Sequence, residues 1–197
     1  MQTTNHSKWL AAVLLFASGT CVLSQAKKQD DRPPRQPDQQ EHLGPIVQIV
    51  ALDECDPSSF NAALGPDFCK NVALAPLGFA TTFQELFARA AAGQPDPSWD
   101  FEPDVLTINK GTALWVTDQG GEPHTFTEVK EFGGGFVDGL NHGQQTVPEC
   151  AGGFRNVDVA KTRIIQGSNI AVTDLSKGEH HFQCCIHPWM RMTVEVK

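Results

Sequence analysis

The sequence predicts an all-β chain, a Greek-key β-sandwich with an N-terminal extension that contains one helix. Three observations point there. From Asp104 onward, short apolar or alternating runs recur between turn residues, the pattern of strands in a sandwich. The turns are explicit: Asn109-Lys110-Gly111, Gly120-Gly121 and Asp174 to Gly178. Helical periodicity with both a start and a stop signal occurs once, before Asp104.

Residues 1–26 read as a secretory signal. Lys8 supplies a basic start, Trp9 to Phe16 an apolar run, and Ser24-Gln25-Ala26 the small residues of a cleavage site. The run is too short for a permanent membrane span. Residues 27–45 carry Pro33, Pro34, Pro37 and Pro45 among Lys, Asp, Gln and Arg, and read as a disordered linker. Residues 46–103 form the N-terminal extension, and 104–197 the sandwich domain.

Within the extension, Ile46 to Ala51 reads as a strand. Cys55 and Cys69 bracket a turn-rich loop. The helix is expected over about 82–92: Thr82 and Glu85 make a capping box, and Phe83, Leu86, Phe87 and Ala90 form an apolar stripe. In the sandwich domain, strands are expected at Val105–Ile108, Thr112–Thr117, His124–Val129, Asn156–Ile165 and Asn169–Thr173. A final pair flanks residues 184–190. Gly133 to Gly143 reads as a long loop.

The chain encodes six cysteines. Loss of Cys21 with the signal leaves Cys55, Cys69, Cys150, Cys184 and Cys185, an odd number in an oxidising compartment. One of them must be free, intermolecular or a metal ligand. Cys55 and Cys69 suit a local disulfide, and Cys150 would pair with whichever of Cys184 and Cys185 is left. Four cysteines allow three connectivities.

The densest chemistry is Cys184-Cys185-Ile186-His187-Pro188-Trp189-Met190, a thiol, an imidazole and a thioether within seven residues. Strand alternation turns Cys184 inward with Phe182, and turns Cys185 outward with His181 and Gln183. Cys184 also has the Cys-x2-His spacing. Among the other histidines, His124 is the best partner, because it starts a strand after Pro123, whose ring locks its own φ. His142 and His181 read as surface residues and His42 lies in the linker. Two imidazoles, one thiolate and a weak axial thioether are the donor set of a trigonal copper site. Met192 offers a second axial spacing.

These residues resemble the cupredoxins, the small blue copper proteins, in their amicyanin and plastocyanin branch. The resemblance rests on Val105 to Gly111, Leu114-Trp115-Val116, Pro123-His124-Thr125 and Phe182 to Arg191. It implies one type 1 copper held by His124, Cys184, His187 and Met190. It also implies outer-sphere electron transfer between a redox protein donor and acceptor, and no catalysis of its own. The family's Asn after the first His is Thr125 here, and residues 46–103 have no counterpart in it.

On this reading His187 carries a ring edge to the surface as the electron port, with Pro188 and Trp189 forming part of the docking rim. Cys185 paired with Cys150 would brace the ligand loop. The alternative function is copper binding or delivery without redox traffic. Multicopper enzymes need more histidine clusters than the sequence holds. The expected location is periplasmic or secreted, as a monomer without stable membrane insertion. The formal charge of −8 becomes one unit more negative after cleavage, since only Lys8 is lost, and disfavours nucleic acid as a partner.

Overall fold

The computed structural model describes residues 44–71 and 78–197. The signal at 1–26, the linker up to residue 43, Cys21 and His42 lie outside the described residues.

Two four-stranded sheets carry the fold. The first has the order β2-β1-β4-β8, from β1 (Ile46–Leu52), β2 (Asp100–Glu102), β4 (Ala113–Asp118) and β8 (Asn169–Val172). The second has the order β3-β10-β9-β6, from β3 (Val105–Ile108), β6 (Thr127–Val129), β9 (Gly178–Gln183) and β10 (Arg191–Val196). A short pair, β5 (His124–Thr125) with β7 (Arg163–Ile164), completes the strands. The two sheets share one core, in which Ile49, Leu114 and Val116 of the first join Phe182, Met192 and Val194 of the second. Phe126 stacks on Phe182 with ring centroids 4.4 Å apart and meets Phe101 edge-on at 5.1 Å. This is the expected all-β sandwich.

The division at residue 104 is not a break in this structure. β1 lies between β2 and β4, and pairs in parallel with β4 from Ile46 opposite Ala113 to Ala51 opposite Asp118. Residues 46–103 therefore supply two strands of the first sheet. They also supply two helices where one was expected. The expected one, α2 (Phe83–Ala91), carries both halves of the Thr82–Glu85 capping box. The other, α1 (Pro57–Leu64), occupies the loop between Cys55 and Cys69. Asp56 caps it by accepting from Ser59 N, and Pro57 sits in its first turn, where a missing N–H costs nothing. Phe60 of α1 and Leu86 and Ala90 of α2 are buried in the main core.

Two strand expectations fail for identifiable reasons. His124–Val129 is interrupted at Phe126, whose side chain enters the core; β5 pairs with β7, and β6 pairs with β9. Asn156–Ile165 is helical over half its length: α3 covers Val157–Lys161 before β7 begins. Its valines suggested a strand, but the Asn156 side chain accepts from Asp158 N and caps a turn, and Val159 is the one buried residue of α3.

Cys184 and Cys185 do face opposite ways, but the outward face is not surface. Cys185 packs with Val129, Val147, Cys150 and Val159 in a second, smaller core. Gln183 is fully buried there, its amide exchanging hydrogen bonds with the backbone of Gly133. His181 and His180 keep part of their side chains exposed, and His142 is exposed. Disulfides join Cys55 to Cys69 and Cys150 to Cys185, and Cys184 is a buried free cysteine.

Candidate metal centre

The loop between β9 and β10 is closed by its own backbone. Cys184 N donates to Met190 O at 3.0 Å, and Met190 N donates to His187 O at 3.0 Å. These bonds turn Cys184 and His187 toward the same point. His124 arrives from the other side, at the start of β5, held by the Gly120–Pro123 turn. Cys184 Sγ lies 3.9 Å from Nδ1 of His124 and 3.9 Å from Nδ1 of His187. All three residues are at most 1 % exposed, and Met190 is fully buried. Met192 is also buried, but on the core-facing side of β10 in register with Phe182.

Thr125 joins the two halves of the site. Its N–H donates to Cys184 Sγ at 3.4 Å, and its hydroxyl accepts from Cys185 N at 2.7 Å. His187 N donates to the same sulfur at 3.5 Å. Donors to a sulfur stabilise its thiolate. Burial alone would raise the Cys184 thiol, but the bonds and charges of His124 and His187 outweigh it and hold the thiol well below its ordinary value. For His124, burial opposes protonation; the Asp53 bond and the Cys184 sulfur outweigh it and raise the imidazole well above its ordinary value.

Sequence reading missed the acids behind these rings. Asp53, just past β1, accepts from His124 Nε2–H at 2.9 Å, with both side chains fully buried. It also accepts from Cys55 N at 3.1 Å and from Glu122 N at 2.9 Å. Burial pushes its carboxyl up, but the His124 bond and charge and the backbone N–H groups of Glu122 and Gly121 win and lower it. A Cβ on Gly120 would sit 2.0 Å from Asp53 Oδ2, so the turn must carry glycine for the carboxylate to fit.

Glu122 Oε2 lies 3.4 Å from His187 Nε2 and accepts from Trp99 Nε1–H at 2.7 Å. Burial raises the Glu122 carboxyl against the pull of the histidines. Burial likewise pushes Asp118, at the end of β4, up to about 7. No periodicity announces a buried acid after a strand or in a turn; only the neighbouring Gly120-Gly121 marks the close approach.

Among the described residues, one further group brings three donor atoms within 4.8 Å: Asp53, Asp118 and His124. Both Asp53 oxygens there already accept backbone N–H bonds, so this group serves the first one rather than standing apart from it.

The expected electron port is overturned. His187 is 1 % exposed. Its Nε2 edge faces Glu122, and the rings of Trp99 and Trp189 lie 6.1 Å and 5.5 Å from it. Trp99 comes from residues 46–103, which the sequence left without a role. Trp189 itself is half-buried and borders a cavity of about 290 Å³ with Pro188, Gln144 and Arg191.

No family model matches the chain, and no curated protein does. Among solved structures it is similar to a purple cupredoxin from Nitrosopumilus maritimus, at 14% identity and a TM-score of 0.38, over 77% of this chain and 99% of that one. It is also similar to a reduced amicyanin variant, at 19% identity and a TM-score of 0.31, over 49% of this chain and 71% of that one. A second amicyanin variant, in its Cu(I) form, aligns at 17% identity with a TM-score of 0.32, over 50% of this chain and 73% of that one.

Proposed function

We propose that the chain is an exported blue copper protein that passes single electrons between redox partners, with one copper held by His124, Cys184, His187 and Met190. The observation that carries this is the placement of one thiolate sulfur 3.9 Å from Nδ1 of each of two imidazoles, all buried. The donor chemistry fits the metal, since a thiolate, two imidazoles and a buried thioether on the same loop suit copper in both oxidation states. Copper bound there supplies a one-electron couple.

The protein's own contribution is rigidity and dryness. Backbone bonds fix the loop, Thr125 ties it to β5, and the rings of Trp99 and Trp189 flank His187. Donors held before metal arrives need not rearrange when charge changes. The same burial disfavours copper delivery, because handing metal to an acceptor requires an open ligand edge.

Export agrees with the two disulfides. No described helix is long and apolar enough to cross a membrane. The half-buried Trp189 forms the docking corner in this reading, in place of His187, with Pro188 buried beside it. Such a small apolar contact suits a transient partner.

The test is to add Cu(II) to the metal-free protein, with both disulfides intact and Cys184 free, and record visible and EPR spectra. The expected result is an intense thiolate-to-copper band with narrow hyperfine splitting, lost in Cys184→Ser. A protein that stays colourless, or a band that survives in Cys184→Ser, removes the assignment.

A further inference from the structure

We infer that Asp53 and Glu122 are positioning residues of the metal centre, each buried carboxylate holding the Nε2 side of one ligand imidazole and favouring the higher oxidation state. The inference rests on the copper reading above and adds residues outside the ligand loop to it.

An imidazole can present either nitrogen, and the partner of one decides which is free. Here Asp53 Oδ2 takes His124 Nε2–H at 2.9 Å, and Glu122 Oε2 stands 3.4 Å from His187 Nε2. Both rings are thereby left with Nδ1 toward Cys184 Sγ. Neither carboxylate is free to swing. Asp53 is pinned by Cys55 N and Glu122 N, and Glu122 by Trp99 Nε1. The two acids are also linked to one another, since Glu122 donates its own backbone N–H to Asp53.

The charge balance follows from burial. The side chains of Asp53 and Glu122 are at most 3 % exposed, and their ion-pair partners among the described residues are His124 and His187. Negative charge in a low-dielectric interior favours the more positive state of a nearby metal. Each of these carboxylates, when ionised, therefore favours Cu(II) over Cu(I) relative to a neutral partner, and burial opposes that ionisation at Glu122. This gives residues 46–103 a part in the chemistry. They supply Asp53, which holds one ring, and Trp99, which fixes the acid that holds the other.

Glu122→Gln is the gentler probe, because an amide oxygen can keep accepting from Trp99 Nε1–H and stay beside His187 Nε2 while the charge goes. Asp53→Asn also removes charge, but it turns an amide N–H₂ toward a backbone donor. The measurements are the Cu(II) and Cu(I) affinities and the reduction potential of each copper-loaded variant. Each variant is expected to lower the Cu(II)-over-Cu(I) affinity ratio about tenfold or more. A tenfold change raises the potential by about 59 mV for one electron. The blue band is expected to persist.

Potentials unmoved in the variants that fold, with only thermal stability lowered, would overturn the inference. Nitrogen-15 NMR of the wild-type Cu(I) protein tests it without any substitution. Both ligand rings should carry a slowly exchanging proton on Nε2, and a proton on Nδ1 of either ring overturns it. A wild-type protein without the blue band removes the copper reading as well; a wild-type band with unmoved potentials removes this inference alone.

Discussion

Cys184 and Cys185 are neighbours in sequence and sit in opposite surroundings. Cys184 enters the main core, where its sulfur meets two imidazoles backed by buried acids. Cys185 enters the smaller core, where its neighbours are mainly apolar, with the Gln183 amide beside them, and its sulfur is bonded to Cys150. The alternation of β9 carries on past its end at Gln183 and separates them. One side of the chain is polar, titratable and carries the candidate donor set; the other is mainly apolar and covalently closed. The second side steadies the first through backbone, since Cys185 N donates to Thr125 Oγ1 and Cys185 O accepts from Phe136 N.

The largest effect expected on the closed side is on stability. Replacing Cys150 and Cys185 by alanine opens a crosslink spanning 35 residues. In the chain-entropy picture that costs about 4 kcal/mol, read as a lower denaturant midpoint. The copper band should survive, because the backbone bonds of Cys185 do not need its sulfur. A variant that folds and takes up copper without turning blue would break the contrast, since the disulfide would then belong to the site itself.

The two methionines repeat the contrast on a smaller scale. Met190 ends the ligand loop, and Met192 lies in β10 among the core strands. Leucine keeps most of the volume, so each Met→Leu change should cost less than about 1.5 kcal/mol. Only Met190→Leu should also move the visible spectrum and the potential, because only there is a thioether donor lost. A spectrum altered by Met192→Leu and untouched by Met190→Leu would exchange their roles.

Much of this was legible because local rules coincided with the outcome. Cys184, Cys185 and their strand obey parity, Thr82 and Glu85 form the capping box they spell, and the odd cysteine is the one left unpaired. What was hidden depends on contacts distant in sequence. Asp53 and His124 are 71 residues apart, and nothing in Leu52-Asp53-Glu54 marks that acid as buried. Trp99 and Glu122 are 23 apart, and the pair is what takes His187 away from the surface. Asn156 and Asp56 show the other failure. Their side chains cap short helices inside stretches whose composition spelled strand and loop.

The smallest effect belongs to Asp118, and it falls on the polar side. Its Oδ1 accepts from Gly120 N at 2.9 Å, while Oδ2 is buried with no hydrogen-bond partner. Burial pushes this carboxyl up to about 7 from an ordinary 3.8, with the nearby Asp53 charge adding to the rise and His124 opposing it. The folded chain therefore holds a proton there that the unfolded chain has released. That stabilisation is complete below about pH 4, declines as pH rises toward 7, and is gone above it. The slope is at most about 1.4 kcal/mol per pH unit. Asp118→Asn imitates the protonated acid at every pH, with its amide oxygen left to take Gly120 N. Denaturation of the metal-free protein with both disulfides intact should therefore show the variant gaining on wild type between pH 4 and pH 7 and holding its lead above. A gap that stays constant across that range would mean that Asp118 is ionised in the folded chain, and the polar side would then hold one more buried charge than its geometry accommodates.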